Sequence, residues 1–307
     1  MQEINYLSHD KKTQIHACIW LPEGEIKAVV QIIHGMAEYA ARYAPFAEFL
    51  VSHGFAVCGE DHLGHGGSVK SKEDLGYFTD KRDTDIVIED INSLRLEMQK
   101  RFEGKPYFVL GHSMGSFYCR KYISVYGKGL AGAVIVGSGF KGKLTLNSAL
   151  ALVKLNALFC GWKHRSNFIR NLAFGSYNKK FDKNNDKAWL SVNEENIARY
   201  RADEYCGFDF TNNGYTYLFG IIKKACSDST IKSVPKDLPV IFLSGSEDPV
   251  GDYGKGVIKA KNKFVKAGVK QVSIKLYEGY RHEIMNDDCK DEVFKDILEF
   301  LNGCLGA

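Results

Sequence analysis

The sequence predicts an α/β fold: one mostly parallel central sheet with helices on both faces, interrupted by a mostly helical insertion. Three observations predict it. Short apolar runs alternate with amphipathic stretches through the first half of the chain, the order that lays strands side by side with crossover helices between them. That alternation stops after Gly139 and resumes with a buried-strand run at 238–244, so residues 1–139 and 236–307 read as one core and 140–235 as a helical cap. A glycine-flanked serine stands between a strand-like run and a helix-like run at 106–126, a junction with strict steric demands.

The elements follow in order. IHACIWL (15–21) and AVVQIIHG (28–35) read as strands, the second almost continuously apolar and so buried on both faces. Tyr43, Phe46, Phe49 and Leu50 recur at helical spacing between Arg42 and His53, and Gly54 stops that helix. FAVCGED (55–61) is a strand leading into a glycine-rich turn, DHLGHGGS (61–68). Ile86, Asp90, Leu94 and Met98 place a long helix over 83–101. PYFVLGHS (106–113) is a strand entering a sharp turn, 114–126 a helix, and AGAVIVGS (131–138) another strand. From 140 to 235 there are helical stretches and polar loops without a convincing strand. After the 238–244 strand, 253–267 is helical, VSIKLYEG (272–279) is a strand, and 287–301 is a final amphipathic helix.

Composition excludes several classes of protein. The chain has 307 residues, 45% hydrophobic and 25% charged, which is ordinary for a globular protein and ample for a core. The formal charge of +4 is too small to argue for nucleic acid or an anionic membrane as partner. The eight cysteines (18, 58, 119, 160, 206, 226, 289 and 304) form no C-x-x-C pair and no zinc-like cluster with histidine, so free thiols and no metal are expected. The first residues hold no apolar leader. No stretch of about 18 apolar residues could span a membrane, the nearest, 144–162, being broken by Asn147, Lys154 and Asn156. A cytoplasmic location is the expectation.

The chemistry centres on GHSMG at 111–115. A nucleophile on a strand-to-helix elbow must turn so sharply that Ser113 is strained and exposed, and Gly111 and Gly115 are needed because side chains there would strike backbone. The same turn sets the Met114 N–H at a helix N-terminus, where it can donate to a developing oxyanion. Serine needs a base, and the base needs an orienting acid. Asp248, directly after the 238–244 strand, is the candidate acid; its neighbour Glu247 is the competitor. His282, between the last strand and the last helix, is the candidate base. The second oxyanion donor should be the Met36 N–H, in the HGMAE loop that follows the 28–34 strand. His112 is expected to point away from the nucleophile and pack the elbow; His62 and His65 look like scaffold for a rigid loop. His9, His16, His53 and His164 carry no supporting pattern. Glu38 and Arg42 read first as an i,i+4 ion pair, with a place at the pocket mouth as the alternative.

Through HGMAEYAARY (34–43), DHLGHGGS (61–68), GHSMGS (111–116), SGSEDPVG (244–251) and RHEIMND (281–287), nearly the whole chain resembles the α/β-hydrolases of the monoacylglycerol lipase and lysophospholipase type, also called serine aminopeptidase-like. WLSVNEENIARYRADEYCGFDFT (189–211) is similar to that family's cap segment, which lies over the active site and forms an acyl channel. The resemblance implies an α/β-hydrolase fold, a catalytic triad of Ser113, Asp248 and His282, an oxyanion hole of the Met36 and Met114 N–H groups, and no cofactor. Two positions depart from the family pattern. Asp203-Glu204 stands where Asp-Pro is usual, and Met285 stands where animal monoacylglycerol lipases carry a second polar residue near the glycerol.

The expected activity is two-step acyl transfer on a lipid-like carboxylic ester, a monoacylglycerol or a lysophospholipid. A general short-chain carboxylesterase, a peptidase or amidase, and a low-turnover ligand-binding protein remain as alternatives. Leu144, Leu150, Leu152, Val153, Leu155, Leu158 and Phe159 place an amphipathic helix in the cap, chiefly for packing, with transient contact to a lipid surface as a further use.

Overall fold

In the computed structural model, residues 1–81, 83–182 and 184–306 are described. Eight strands form a single sheet: β1 (Gln2–Leu7), β2 (Gln14–Trp20), β3 (Ala28–Ile33), β4 (Phe55–Glu60), β5 (Tyr107–His112), β6 (Gly132–Val136), β7 (Val240–Gly245) and β8 (Val272–Tyr277). Their order is β1-β2-β4-β3-β5-β6-β7-β8, antiparallel at β1-β2 and β2-β4 and parallel from β4 to β8. The core helices are α1 (Ala44–Ser52), α2 (Asp85–Arg101), α3 (Met114–Tyr126), α9 (Lys255–Lys266) and α10 (Lys290–Leu305). Between β6 and β7 lie α4 (Lys143–Cys160), α5 (Asn167–Phe174), α6 (Glu194–Ala202), α7 (Asn212–Ala225) and α8 (Asp228–Ser233), with no strand among the described residues there.

The strands run apolar because both faces are covered. Val30, Ile32, Phe108, Leu110, Val134 and Val136 face α1 and α10; Val29, Ile33, Val109 and Ile135 face α2, α3 and α9 from the other side. Pro45 in its first turn starts α1, and Gly54, at φ +88°, follows its end.

Two elements differ from the sequence reading. Strand β1 is not foreseen. It is an edge strand held by backbone pairing to β2, with only Ile4 and Tyr6 packed inward and Leu7 exposed, so its apolar signal is weak. Helix α10 begins at Lys290 rather than 287, because the Asp287 carboxylate is taken by the Val192 and Asn193 N–H groups at 2.9 and 3.2 Å.

In the parallel register, Ile33 stands opposite Gly111, His112 opposite Val136, and Val136 opposite Leu243. The carboxyl ends of β3, β5, β6 and β7 therefore meet at one edge of the sheet, where ligands of open α/β sheets bind. The loops after β3, β5, β7 and β8 all emerge there.

Candidate active site

The elbow at Ser113 is built by sterics. Ser113 takes φ +53° and ψ −120°, a conformation costing about 1–3 kcal/mol for a residue with a side chain. Three hydrogen bonds hold it. Its N–H donates to the Val136 carbonyl at 3.0 Å, and its own carbonyl accepts from the Ser116 N–H at 2.9 Å and hydroxyl at 2.6 Å. A Cβ on Gly115 would collide with the Ile33 carbonyl oxygen, and one on Gly111 with the Gly115 carbonyl oxygen, so neither position accepts a side chain.

Three loops bring the predicted side chains into line. Ser113 Oγ lies 2.8 Å from His282 Nε2, and His282 Nδ1 lies 2.9 Å from Asp248 Oδ2. Asp248 is fully buried in the turn after β7, where its Oδ1 accepts from the Val250 N–H at 2.8 Å; Glu247 is exposed. An ionised carboxylate only accepts, so Nδ1 carries the ring proton and Nε2 is left to accept from the serine hydroxyl. His282 is 2% exposed. Its ring packs beside Trp189 with centroids 5.3 Å apart. On either side of it, the Arg281 guanidinium donates to the Ala188 and Ser191 carbonyls, and the Glu283 N–H donates to the Leu190 carbonyl.

The loop after β3 folds on itself. Glu38 turns back so that Oε1 accepts the Gly35 N–H at 2.6 Å, and Ala37 adopts φ +53°. The Ala37 carbonyl accepts from the Gly207 N–H at 2.9 Å and the Tyr200 hydroxyl at 3.3 Å. Met36 and Met114 border the same cavity as Ser113, and among the described residues neither backbone N–H has a hydrogen-bond partner.

The Glu38–Arg42 ion pair, 2.8 Å long, belongs to a larger network that sequence spacing does not disclose. Arg42 also grips Glu283 with both terminal nitrogens, at 2.8 and 2.6 Å, and Asn196 Nδ2 donates to Glu283 at 2.8 Å. Tyr43 donates to Glu38 at 2.7 Å, and His112 Nδ1 lies 2.8 Å from that hydroxyl and 3.2 Å from Glu38 Oε1. His112 thus points away from Ser113 into the scaffold. All three charged side chains are nearly enclosed; Arg42 is 12% exposed, Glu38 3% and Glu283 4%. Burial alone would raise the Glu38 and Glu283 carboxyls, but His112 and Arg42 overcome it for Glu38 and Arg42 for Glu283, so both lie below the usual value. The same contact with Glu38 raises His112 against the pull of burial. Glu283 and Asn196 escaped the sequence reading because their partner is far away along the chain. The one available signal was a second charged residue directly after His282.

The histidine-rich loop is scaffold, as its composition suggests. His34 donates from Nδ1 to the Gly35 carbonyl at 2.8 Å and accepts the His62 N–H at Nε2, at 2.9 Å. The rings of His34 and His62 stack 4.0 Å apart. Burial first, then the neighbouring histidine, pushes His34 down to about 3; burial pushes His62 down to about 4. Asp61 accepts from the Ala40 and Gly67 N–H groups at 2.7 Å each and meets His16 Nδ1 at 2.9 Å, giving His16 a role the sequence reading did not assign. At the two departures from the family pattern, Asp203 accepts from the Tyr39 hydroxyl at 2.8 Å, Glu204 pairs on the surface with Lys72, and Met285 is buried in the core with α10.

A cavity of about 750 Å³ opens over Ser113 and His282. Phe117, Phe174, Tyr215, Leu218, Phe219 and Ile222 give it apolar walls. It is large enough for a small lipid-like molecule.

The chain matches the family described as serine aminopeptidase, S33, over residues 24–289. It is 25% identical over 302 residues to the monoglyceride lipase of Homo sapiens, covering 96% of this chain and 89% of that one. A thermostable carboxyl esterase from Bacillus coagulans, solved in complex with glycerol, superposes with a TM-score of 0.93 at 28% identity, over 99% of this chain and 98% of that one. A lipase solved in an open form superposes with a TM-score of 0.92 at 26% identity, over 100% and 99% of the two chains. With an eight-stranded, mostly parallel sheet, a strained serine elbow and a family match running from before β3 to the start of α10, the chain belongs to the serine aminopeptidase S33 family of α/β-hydrolases.

Proposed function

We propose that this protein is a serine ester hydrolase that cleaves single-chain lipid esters, monoacylglycerols or lysophospholipids, through an acyl-enzyme on Ser113. The observation that carries the reading is the line from Ser113 Oγ through His282 to buried Asp248 at the floor of an apolar-walled cavity. As Oγ attacks the ester carbonyl carbon, His282 Nε2 takes its proton, while the Nδ1–H bond to Asp248 fixes the tautomer and stabilises the imidazolium. The carbonyl oxygen becomes an oxyanion received by the Met36 and Met114 N–H groups, each good donor contributing about 3–4 kcal/mol. The ester C–O bond then breaks, and the alcohol leaves with the proton from Nε2. Water repeats the sequence, releasing the acid and restoring Ser113.

The test is kcat/KM on a panel: a long-chain monoacylglycerol, a lysophospholipid, p-nitrophenyl esters of graded length, and an aminoacyl anilide. Preference for the long-chain lipid esters is the expected result. Preference for short esters would favour the general carboxylesterase reading, which similarity to the Bacillus coagulans esterase also supports. Cleavage of the anilide above all others would overturn ester hydrolysis as the function.

Transient contact with a lipid surface is part of the proposal. Leu144, Leu155, Leu158 and Phe159 on α4, with Phe168 and Leu172 on α5, are large apolar side chains 47–80% exposed. No helix among the described residues is long and apolar enough to cross a membrane, so this face would lie on the surface rather than span it. Flotation with neutral phospholipid vesicles is expected to carry the protein, and Leu158→Glu/Phe159→Glu to release it; equal flotation of both proteins would remove the idea. The location we propose is the cytoplasm, supported by eight unpaired thiols.

A further inference from the structure

A second cavity, about 1170 Å³, opens between α4, α7 and the start of α8 and shares no lining residue with the cavity over Ser113. Among the described residues its lining holds seven lysines and three aspartates, an excess of four positive charges, equal to that of the whole chain. The three aspartates are already paired: Asp80 with Lys12 at 3.4 Å, Asp83 with Lys224 at 3.5 Å and Asp228 with Lys263 at 2.8 Å. Among the described residues, Lys81, Lys141, Lys143, Lys154 and Lys223 enter no ion pair; Lys81 donates to the His9 carbonyl at 3.3 Å, and the other four carry the remaining unpaired charge of the groove. Beside them the groove offers Phe140, Leu146, Leu150 and Trp162. Uncompensated cations round a concave, partly apolar surface raise the local concentration of anions, and the apolar floor favours a chain attached to the anion.

Helix α7 is the common wall of the two cavities. Thr216, Gly220 and Lys223 line the groove, while Tyr215, Leu218, Phe219 and Ile222 line the cavity over Ser113. We propose that the groove is a separate binding site for a single-chain amphiphile with an anionic head, carboxylate or phosphate. The head sits among Lys141, Lys143, Lys154 and Lys223, and the chain lies over Phe140, Leu146, Leu150 and Trp162. Its occupant rests against the back of the helix that walls the ester site. The proposal does not depend on Ser113 being a nucleophile.

Titration calorimetry of the full chain with decyl phosphate, decanoate, inorganic phosphate and decyl maltoside tests it, on wild type and on Lys143→Glu/Lys223→Glu. Decyl phosphate or decanoate is expected to bind wild type, at least tenfold more weakly in the variant and more weakly with added salt. Whichever of the two binds more tightly identifies the head group. Inorganic phosphate should bind at least tenfold more weakly than decyl phosphate, and decyl maltoside should not distinguish the two proteins. Binding of the alkyl anions unchanged by the charge reversal, or absent from wild type, overturns the proposal; inorganic phosphate binding as tightly as decyl phosphate overturns the lipid part of it. Lys141→Glu/Lys154→Glu, on other residues of the same groove, gives an independent reading should the first variant fold poorly, and its melting curve reports that it is folded.

Discussion

Replacing Ser113 by alanine is expected to lower kcat/KM on the preferred ester by about 10⁴–10⁶-fold, with the melting temperature nearly unchanged. The side chain lost is one oxygen, and the hydrogen bonds that hold the elbow use the backbone of residue 113, which alanine keeps. What would survive is binding and the two N–H donors proposed for the oxyanion, which would still polarise the carbonyl toward water. His282→Ala should fall by a similar factor, because an unassisted hydroxyl is a poor nucleophile. The double variant should be little worse than either single one, since the two groups act as a unit. Initial rates on purified proteins check this; a Ser113→Ala protein within tenfold of wild type would rule out the acyl-enzyme.

Arg42→Ala is expected to be the most destabilising single change near the site, by about 3–5 kcal/mol. It leaves Glu38 and Glu283, 3% and 4% exposed, facing one another without their shared cation. At an unfolding entropy near 2 cal/mol/K per residue, this corresponds to a fall in Tm of about 5–8 °C for 307 residues. The loss should depend on pH with a definite sign. In wild type both carboxyls lie below the ordinary value of 4.5, so their contribution is present above that value and is lost as pH falls through the lowered ones. Without Arg42, burial dominates at Glu283 and its carboxyl moves up, so the variant loses stability as pH rises. The gap in Tm should therefore widen from pH 4 to pH 7. A constant gap would mean that the arginine acts by packing on Tyr200, whose ring lies 4.9 Å from the guanidinium, and not by its charge. Because Glu283 follows His282 directly, kcat should fall as well.

Much of this architecture is legible in the sequence, for reasons that can be stated. The β5–Ser113–α3 elbow is legible because its sterics leave only glycine at 111 and 115, and a requirement of that kind is written in residue identity. The central strands are legible because burial on both faces demands unbroken apolar runs. Asp248 and His282 are legible because each stands in the first loop after a recognisable strand, and hydrogen-bond distances now join them to Ser113. Strand β1 is not, because edge pairing draws on backbone groups that every residue carries. Nor is the bond of Arg42 to Glu283, 241 positions apart, since no local spacing relates them. His16 is of the same kind: alone it carries no pattern, and its partners, Asp61 at 2.9 Å and Glu3 at 3.6 Å, lie far away along the chain or on the unforeseen edge strand.

The bonds that tie residues 188–207 to the site bear on how this protein could be re-engineered. That stretch holds the loop on both sides of His282 through Ala188, Leu190 and Ser191, and holds the strained Ala37 carbonyl through Tyr200 and Gly207. It is a brace for the two loops that would supply the base and one oxyanion donor. A chimera that exchanged residues 140–235 for the matching part of a relative would keep the Ser113 elbow and lose the alignment around it. A transplant must therefore carry residues 34–42 and 281–287 along with it, so substrate range and catalytic geometry in this chain are inherited together.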